Sequence, residues 1–209
     1  MSRRLALALA GALGSGLLAG AAHAQVDAAL CAACHGPAGQ GVAAMPTSPY
    51  LAGLAGPYLQ RQLRDLADGA RESPVMSVLA KAITPAKREV LAQYFAKLPR
   101  RGTAASGAAR PSALGRQLAE HGLWSRGVPA CVLCHGRQGV GVGSDFPPLA
   151  GQPSVYLVNQ LRAFKTGARS AGPLGLMKAV ASRLSERDMQ AVAGYFSSLS
   201  PAIGARSAR

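Results

Sequence analysis

Apolar residues recur along the chain at the spacing of an amphipathic helix. In two stretches they stand at i, i+4 and i+7, which places them on one helix face. No alternating pattern of useful strand length accompanies them, so the sequence predicts an all-α protein. The two sets are Leu59, Leu63, Leu66 and Leu157, Leu161, Phe164.

Residues typical of helix starts precede these and two further helical stretches. Pro57 suits the first turn of one helix, and Ser154 is a suitable N-cap for its counterpart. The last helix of each half is predicted to begin at Thr84 or at Ser185, where Ser185 and Asp188 form a capping box. The apolar faces of these last helices are Leu91, Tyr94, Phe95, Leu98 and Val192, Tyr195, Phe196, Leu199.

The second half of the chain repeats the first. Residues 51–71 align with 149–169 without a gap, with 11 of 21 positions identical, and residues 76–98 match 177–199. Two units are too few for a solenoid. The repeat therefore predicts two homologous domains in tandem.

Composition marks the ends of these domains. Arg3 and Arg4, an apolar run from Leu5 to Leu18 and the Ala-His-Ala cleavage site before Gln25 indicate an export signal to the periplasm. A retained membrane anchor is the alternative. Gly, Ala, Ser, Arg and Pro dominate between the repeats and after them, which is typical of a linker and a frayed tail. The predicted division is 1–24 signal, 25–99 first domain, 100–112 linker, 113–200 second domain and 201–209 tail.

The four cysteines form two Cys-x-x-Cys-His motifs one hundred residues apart, and the chain has no other cysteine. This spacing is the attachment signature of c-type haem, in which each thiol forms a thioether and the histidine ligates iron. Zinc binding and a redox-active dithiol are the alternatives. Zinc-ribbon pairs usually lie closer together, a thioredoxin-like dithiol follows a strand, and neither explains a histidine after both pairs. The predicted residues are Cys31, Cys34, His35 and Cys131, Cys134, His135.

Met76 and Met177 are the candidates for the second axial ligand of each iron. They lie 45 residues after Cys31 and 46 residues after Cys131. We expect each to lie in a loop that approaches iron from the face opposite the histidine. A lone methionine is usually core filler, but the matched positions favour ligation, which suits electron transfer. Three residues without such a counterpart are expected to be packing or surface residues: Met45, Met189 and His121.

These features resemble the cytochrome c4 family over nearly the whole mature chain. Glycine follows each haem motif, Leu-Ala-Gly-Gln lies near the second, and Tyr-Phe closes each repeat. The resemblance implies two tandem class I cytochrome c-like domains with two covalently bound haem c groups. It also implies His/Met ligation at both irons, here by His35 with Met76 and by His135 with Met177.

The same resemblance assigns a role to a Pro-x-Leu-x-Gly segment that follows each motif. Its proline, Pro49 or Pro147, is expected to accept a hydrogen bond from the ligating histidine and so to orient the ring. One departure concerns the first domain, which has only residues 25–30 before its haem motif, whereas the second has residues 112–126. An N-terminal helix normally crosses the last helix in this family, so we expect the last helix of the first domain to be partly uncovered.

The formal net charge is +14, and loss of the two signal arginines lowers it to +12. This charge favours an acidic protein partner or peripheral contact with an anionic membrane. Nucleic acid is excluded because the basic residues are dispersed and no binding motif accompanies them. The resemblance to the cytochrome c4 family implies an electron carrier, not an enzyme, that receives electrons from a quinol-oxidising complex or a dehydrogenase and passes them to a terminal oxidase. The alternatives are a fixed cytochrome subunit of a periplasmic dehydrogenase complex and a dihaem peroxidase-type enzyme.

Overall fold

The structure is a computed structural model that describes residues 28–100, 111–170 and 172–201. Within these ranges the chain is helical, and its β pairing consists of isolated bridges. The all-α prediction is therefore confirmed. The predicted signal segment (1–24), residues 101–110 of the predicted linker and residues 202–209 of the predicted tail lie outside the described residues.

The first domain is built around helix α2. Residues 28–35, which we call α1, are helical and contain the first haem motif. Helix α2 packs against both α3 and α4. Their contact buries an apolar cluster that includes Leu59, Leu91 and Phe95. The helices are α2 Gly56–Asp68, α3 Met76–Ala82 and α4 Pro85–Lys97.

The second domain repeats this arrangement and adds a helix before its motif. Helix α9 packs against α5 on one side and α7 on the other, and α7 also contacts α8. The helices are α5 Ala113–Glu120, α6 Val132–His135, α7 Ser154–Thr166, α8 Leu176–Ala181 and α9 Glu186–Ser198, with short 3-10 turns at Trp124–Arg126, Arg137–Gly139 and Pro173–Gly175.

Three predicted helix starts are confirmed and one is wrong. Pro57 lies in the first turn of α2, as predicted. The Thr84 side chain accepts a hydrogen bond from the backbone of Lys87, and Ser185 forms the predicted capping box with Asp188. Ser154 is not an N-cap. It is the first residue of α7, because Pro153 holds the extended conformation at the N-cap position, and no side chain caps that end.

Helix α5 explains a difference between the domains. It crosses α9 so closely that a Cβ atom at Gly115 would overlap the Ala191 carbonyl oxygen. On α4, the position that matches Ala191 is Val90, whose exposed fraction is 43%, and Tyr94 is only half-buried. The expected partial exposure of the last helix in the first domain is thus present.

Arg100 and Pro201, the first residues of the predicted linker and of the predicted tail, pack against the folded domains. Arg100 packs over Gly53, and its guanidinium donates a hydrogen bond to the Ala150 carbonyl at 2.8 Å. Burial lowers the pKa of Arg100 to about 10. Pro201 is buried and packs over Gly151 in the same way. Both residues therefore belong to the folded domains.

Candidate metal centres

The first Cys-x-x-Cys-His motif holds its histidine in a defined orientation. His35 is buried, and its Nδ1 donates a hydrogen bond to the Pro49 carbonyl at 2.8 Å. Burial lowers the pKa of His35, with a further contribution from the positive charge of Arg71, although the bond to Pro49 opposes the shift. The ring is therefore neutral at pH 7, and its Nε2 lone pair is free to bind a metal.

A glycine turn brings the proline to the histidine. Gly39 has a φ of +69°, and its carbonyl accepts hydrogen bonds from Leu51 and Ala52 at 2.8 and 3.0 Å. A Cβ atom at this position would also meet the Phe95 ring at 2.9 Å. Only glycine satisfies both the left-handed conformation and the close approach of α4.

The second motif repeats this geometry. His135 is buried, and its Nδ1 donates to the Pro147 carbonyl at 2.8 Å. Burial, and then the charge of Arg169, lowers its pKa. Gly139 takes the place of Gly39, with a φ of +71°, and a Cβ atom there would lie 2.7 Å from the Phe196 ring. Both hydrogen bonds implied by the Pro-x-Leu-x-Gly segments are present, while their effect on an iron ligand remains a prediction.

The prediction that the two candidate methionines lie in loops is wrong, because both lie at the start of a helix. Met76 is the first residue of α3, where its backbone N–H donates to the Ser73 hydroxyl at 3.2 Å, and Met177 lies in the first turn of α8. The Ser73 hydroxyl therefore satisfies the first N–H of α3, whereas no side chain caps the start of α8. Both side chains are half-buried.

The other three sequence candidates lie where packing or surface residues are expected. Met189 is 1% exposed in the core of the second domain, whereas Met45 is 37% exposed. His121 is exposed at the C-terminal end of α5.

The second domain has an apolar cavity whose lining can be compared with the requirements of a bound haem. Residues of α7, α8 and α9 line it, together with Cys131, Cys134, His135 and Met177, and four residues of the first domain also contribute to its wall. Its walls thus combine the two thiols, the histidine and the methionine with an otherwise largely apolar surface. This is the donor set and the environment that a covalently bound haem with two axial ligands requires.

The zinc alternative finds no support among the described residues. They contain no group of three or more His, Cys, Asp or Glu side chains that converge as a metal site does.

Sequence reasoning missed a pair of arginines at the boundary between the domains. Arg71 donates to Tyr156 and Gln160 of the second domain at 3.2 and 2.9 Å. Arg169 donates to the matching Tyr58 and Gln62 of the first domain at 3.3 and 2.7 Å. The two arginines also face each other in an antiparallel backbone bridge. The repeated Gly-Ala-Arg tripeptide is the sequence signal that marks both positions.

These arginines fit the carboxylate groups of haem. Arg169 is buried, lines the cavity of the second domain, and its Nε has no hydrogen-bond partner among the described residues. A buried guanidinium requires an anion or further acceptors. The propionates of a haem in this cavity would supply them, so Arg169, and Arg71 by the repeat, are the residues that would hold propionates.

The sequence model described as cytochrome c matches residues 20–94 and 112–200. The crystal structure of reduced recombinant cytochrome c4 from Pseudomonas stutzeri superimposes with a TM-score of 0.74 and 33% identity, covering 86% of this chain and 98% of that one. The chain belongs to the cytochrome c4 branch of the cytochrome c family.

Two further matches concern proteins named for a dehydrogenase. The thiosulfate dehydrogenase electron acceptor of Thiomonas intermedia is 47% identical over 206 residues, which cover 96% of this chain and 94% of that protein. The structure of thiosulfate dehydrogenase (TsdBA) from Marichromatium purpuratum has a TM-score of 0.74 and 43% identity. The match covers 86% of this chain but only 38% of the Marichromatium chain.

As a cytochrome c4, the protein carries two covalently bound haem c groups and acts as an electron carrier. The haem prediction and the tandem class I cytochrome c-like fold are confirmed. No helix in residues 28–100, 111–170 or 172–201 has both the length and the apolar character needed to cross a membrane.

Proposed function

We propose that this cytochrome c4 is the electron acceptor of a thiosulfate-oxidising dehydrogenase in the periplasm. It takes electrons from that enzyme, holds one on each haem and passes them to a terminal oxidase. The observation that carries the proposal is the 47% identity to the Thiomonas electron acceptor over 94% of its length. Identity to the cytochrome c4 of Pseudomonas stutzeri is lower, at 33%.

The proposed haem sites follow from the two motifs. Thioethers form at Cys31 and Cys34 in the first domain and at Cys131 and Cys134 in the second. His35 and Met76 are the axial ligands of the first iron, and His135 and Met177 are those of the second. Neutral, buried histidines and half-buried methionines support this assignment. Methionine ligation raises the potential of a haem and suits it to accept electrons from a dehydrogenase.

The surface next to Met76 supports an association with another protein. Val75, Val78, Leu79 and Ala82 stand at i, i+3, i+4 and i+7, and all four are exposed, whereas Ala80 on the opposite face of α3 is completely buried. An exposed apolar helix face of this kind is uncommon on a protein without partners. In the second domain the position of Ala82 is occupied by Arg183.

The test is reduction of the purified dihaem protein by a thiosulfate dehydrogenase in the presence of thiosulfate. Stopped-flow absorbance should show both haems reduced at a rate that depends on the enzyme concentration. Omission of thiosulfate or of the enzyme provides the controls. Reduction by a quinol-oxidising complex, with none by the dehydrogenase, would refute the proposal.

A general carrier between a quinol-oxidising complex and a terminal oxidase is the second candidate. It is favoured by the fold shared with cytochrome c4 of Pseudomonas stutzeri and by the net charge of +14. A strongly positive protein is steered to acidic surfaces at a rate that falls with salt. The same stopped-flow experiment, with each donor in turn, separates the two candidates.

A further inference from the structure

A glutamine of the second domain binds both backbone groups of a residue in the first. The Gln152 side-chain amide donates from Nε2 to the Tyr50 carbonyl at 2.9 Å, and its Oε1 accepts from the Tyr50 N–H at 2.9 Å. Gln152 is 3% exposed and Tyr50 is half-buried, so both hydrogen bonds are partly buried. Bonds of this kind are strong in a buried environment and hold the two groups in register.

The Tyr50 N–H belongs to the same peptide group as the Pro49 carbonyl. That carbonyl is the acceptor for Nδ1 of His35, at 2.8 Å. The peptide group is planar and conjugated, so an acceptor on its N–H increases the negative charge on its oxygen. A continuous series of hydrogen bonds therefore runs from Gln152, through this peptide, to the imidazole of His35.

The second domain has no equivalent of this series. The peptide that bonds His135 joins Pro147 to Pro148, and a proline nitrogen has no hydrogen to donate. The repeat position of Gln152 is Leu54, which is buried and apolar. Only the first domain receives this polarisation, although both histidines form the same bond at 2.8 Å.

We propose that Gln152 is a positioning residue through which the second domain tunes the haem of the first. Polarisation of the Pro49 carbonyl strengthens its bond with Nδ1–H of His35. The imidazole then donates more electron density from Nε2, which favours the ferric state and lowers the potential of that haem. The proposal rests on His35 as an iron ligand, but not on thiosulfate dehydrogenase as the donor.

The test replaces Gln152 with the residue that the repeat places at the same position. In Gln152→Leu, the midpoint potential of the first haem should rise, while that of the second haem stays unchanged. The haems are assigned in a spectroelectrochemical titration followed by proton NMR of their methyl groups. A second readout is the Nδ1–H resonance of His35 in the reduced, nitrogen-15-labelled protein. It should move upfield, as expected for a weaker hydrogen bond, while that of His135 stays in place.

A proline at position 50 tests the same series from the other end. Tyr50→Pro removes the N–H, and the fold has room for it, because Pro148 packs over Gly141 where Tyr50 packs over Gly41. It should shift the first haem in the same direction as Gln152→Leu, and the double variant should shift it no further. Tyr50→Ala keeps the N–H and should leave the His35 Nδ1–H resonance in place.

Ser170→Ala is the control for a merely structural role. The Ser170 hydroxyl donates across the same domain boundary to the Ala70 carbonyl at 3.2 Å, and its loss changes no charge and none of the hydrogen bonds of Gln152. If it shifts the first haem as Gln152→Leu does, then Gln152 acts only by holding the domains together. The proposal is also overturned if Gln152→Leu moves neither potential or both equally. Failure of His35 as a ligand would be seen separately, as a first haem without histidine coordination in the wild-type protein.

Discussion

Replacement by alanine of two methionines of the second domain should affect different properties of the protein. One methionine lies beside the haem cavity and the other lies in the core. Met177 lines the cavity and is half-buried, whereas Met189 is 1% exposed and lies in the main apolar cluster with Val192 and Phe196. Met177→Ala should open one iron, lower the potential of that haem and allow it to bind an added ligand. Met189→Ala should leave both haem spectra unchanged and act on stability alone.

The size of the stability effect follows from the burial of Met189. Truncation of a fully buried methionine to alanine costs about 2–5 kcal/mol, a large part of the roughly 5–15 kcal/mol that holds a native domain together. For a domain of this size, each kcal/mol of lost stability lowers Tm by about 4–8 °C. Even a loss of about 2 kcal/mol therefore lowers Tm by roughly 10 °C. Far-UV circular dichroism during thermal unfolding measures this change, and the charge-transfer band of methionine-ligated ferric haem measures ligation.

The first domain offers the matching pair. Met76→Ala should remove the methionine band of the first haem, whereas the exposed Met45 can be replaced at a cost within about 0.5 kcal/mol and with no spectral change. The assignment of ligands fails if Met45→Ala or Met189→Ala removes a methionine band. It fails equally if both bands persist in Met76→Ala or in Met177→Ala.

Three further outcomes are expected. Mass spectrometry of the exported protein should show two haem additions and no cysteine that an alkylating reagent modifies; free thiols would contradict haem attachment at both motifs. Oxidation by a purified terminal oxidase should slow as salt rises towards 0.1 M, where charges are screened over about 10 Å, and a flat response would mean that charge does not steer docking. Asp188→Ala should cost about 0.5–2 kcal/mol, measured by urea denaturation, because it removes the carboxylate that accepts from the Ser185 N–H in the α9 capping box. Burial disfavours the ionised form of Asp188, but hydrogen bonds from Ser185 and Arg126 outweigh this effect and lower its pKa in the folded protein. The contribution of Asp188 to stability is therefore complete above about pH 4 and is lost as the pH falls through the pKa of the folded state. Equal acid sensitivity of the wild type and of Asp188→Ala would refute this.

The apolar periodicity and the residues at the helix starts were sufficient to predict the helical fold, because both depend on local spacing. Leu59 and Leu157 are buried on the predicted helix faces, and the capping box at Ser185 forms as its four residues alone suggest. The position of Met76 within a helix could not be read in this way. Helix α3 has seven residues, and a helix this short depends on tertiary packing more than on its own propensity.

The boundary between the domains was beyond sequence reasoning for a different reason. Arg71 and Gln160 lie 89 positions apart, and no periodicity connects them. The repeated Gly-Ala-Arg tripeptide marked a position of interest but not its partner. Gln152 illustrates the same limit, since its bond to Tyr50 depends on how the domains are placed against each other.

The exchange of arginines between the domains makes each domain depend on the other for its hydrogen-bond partners. Each domain supplies the donor for a tyrosine and a glutamine of the other, as Arg71 does for Tyr156 and Arg169 for Tyr58. A single domain cut from this protein would carry an arginine without its distant acceptors and a tyrosine without its donor. Each domain on its own would therefore keep only the hydrogen bond from its arginine to its own glutamine, Arg71 to Gln62 or Arg169 to Gln160, and would present the remaining polar groups to water.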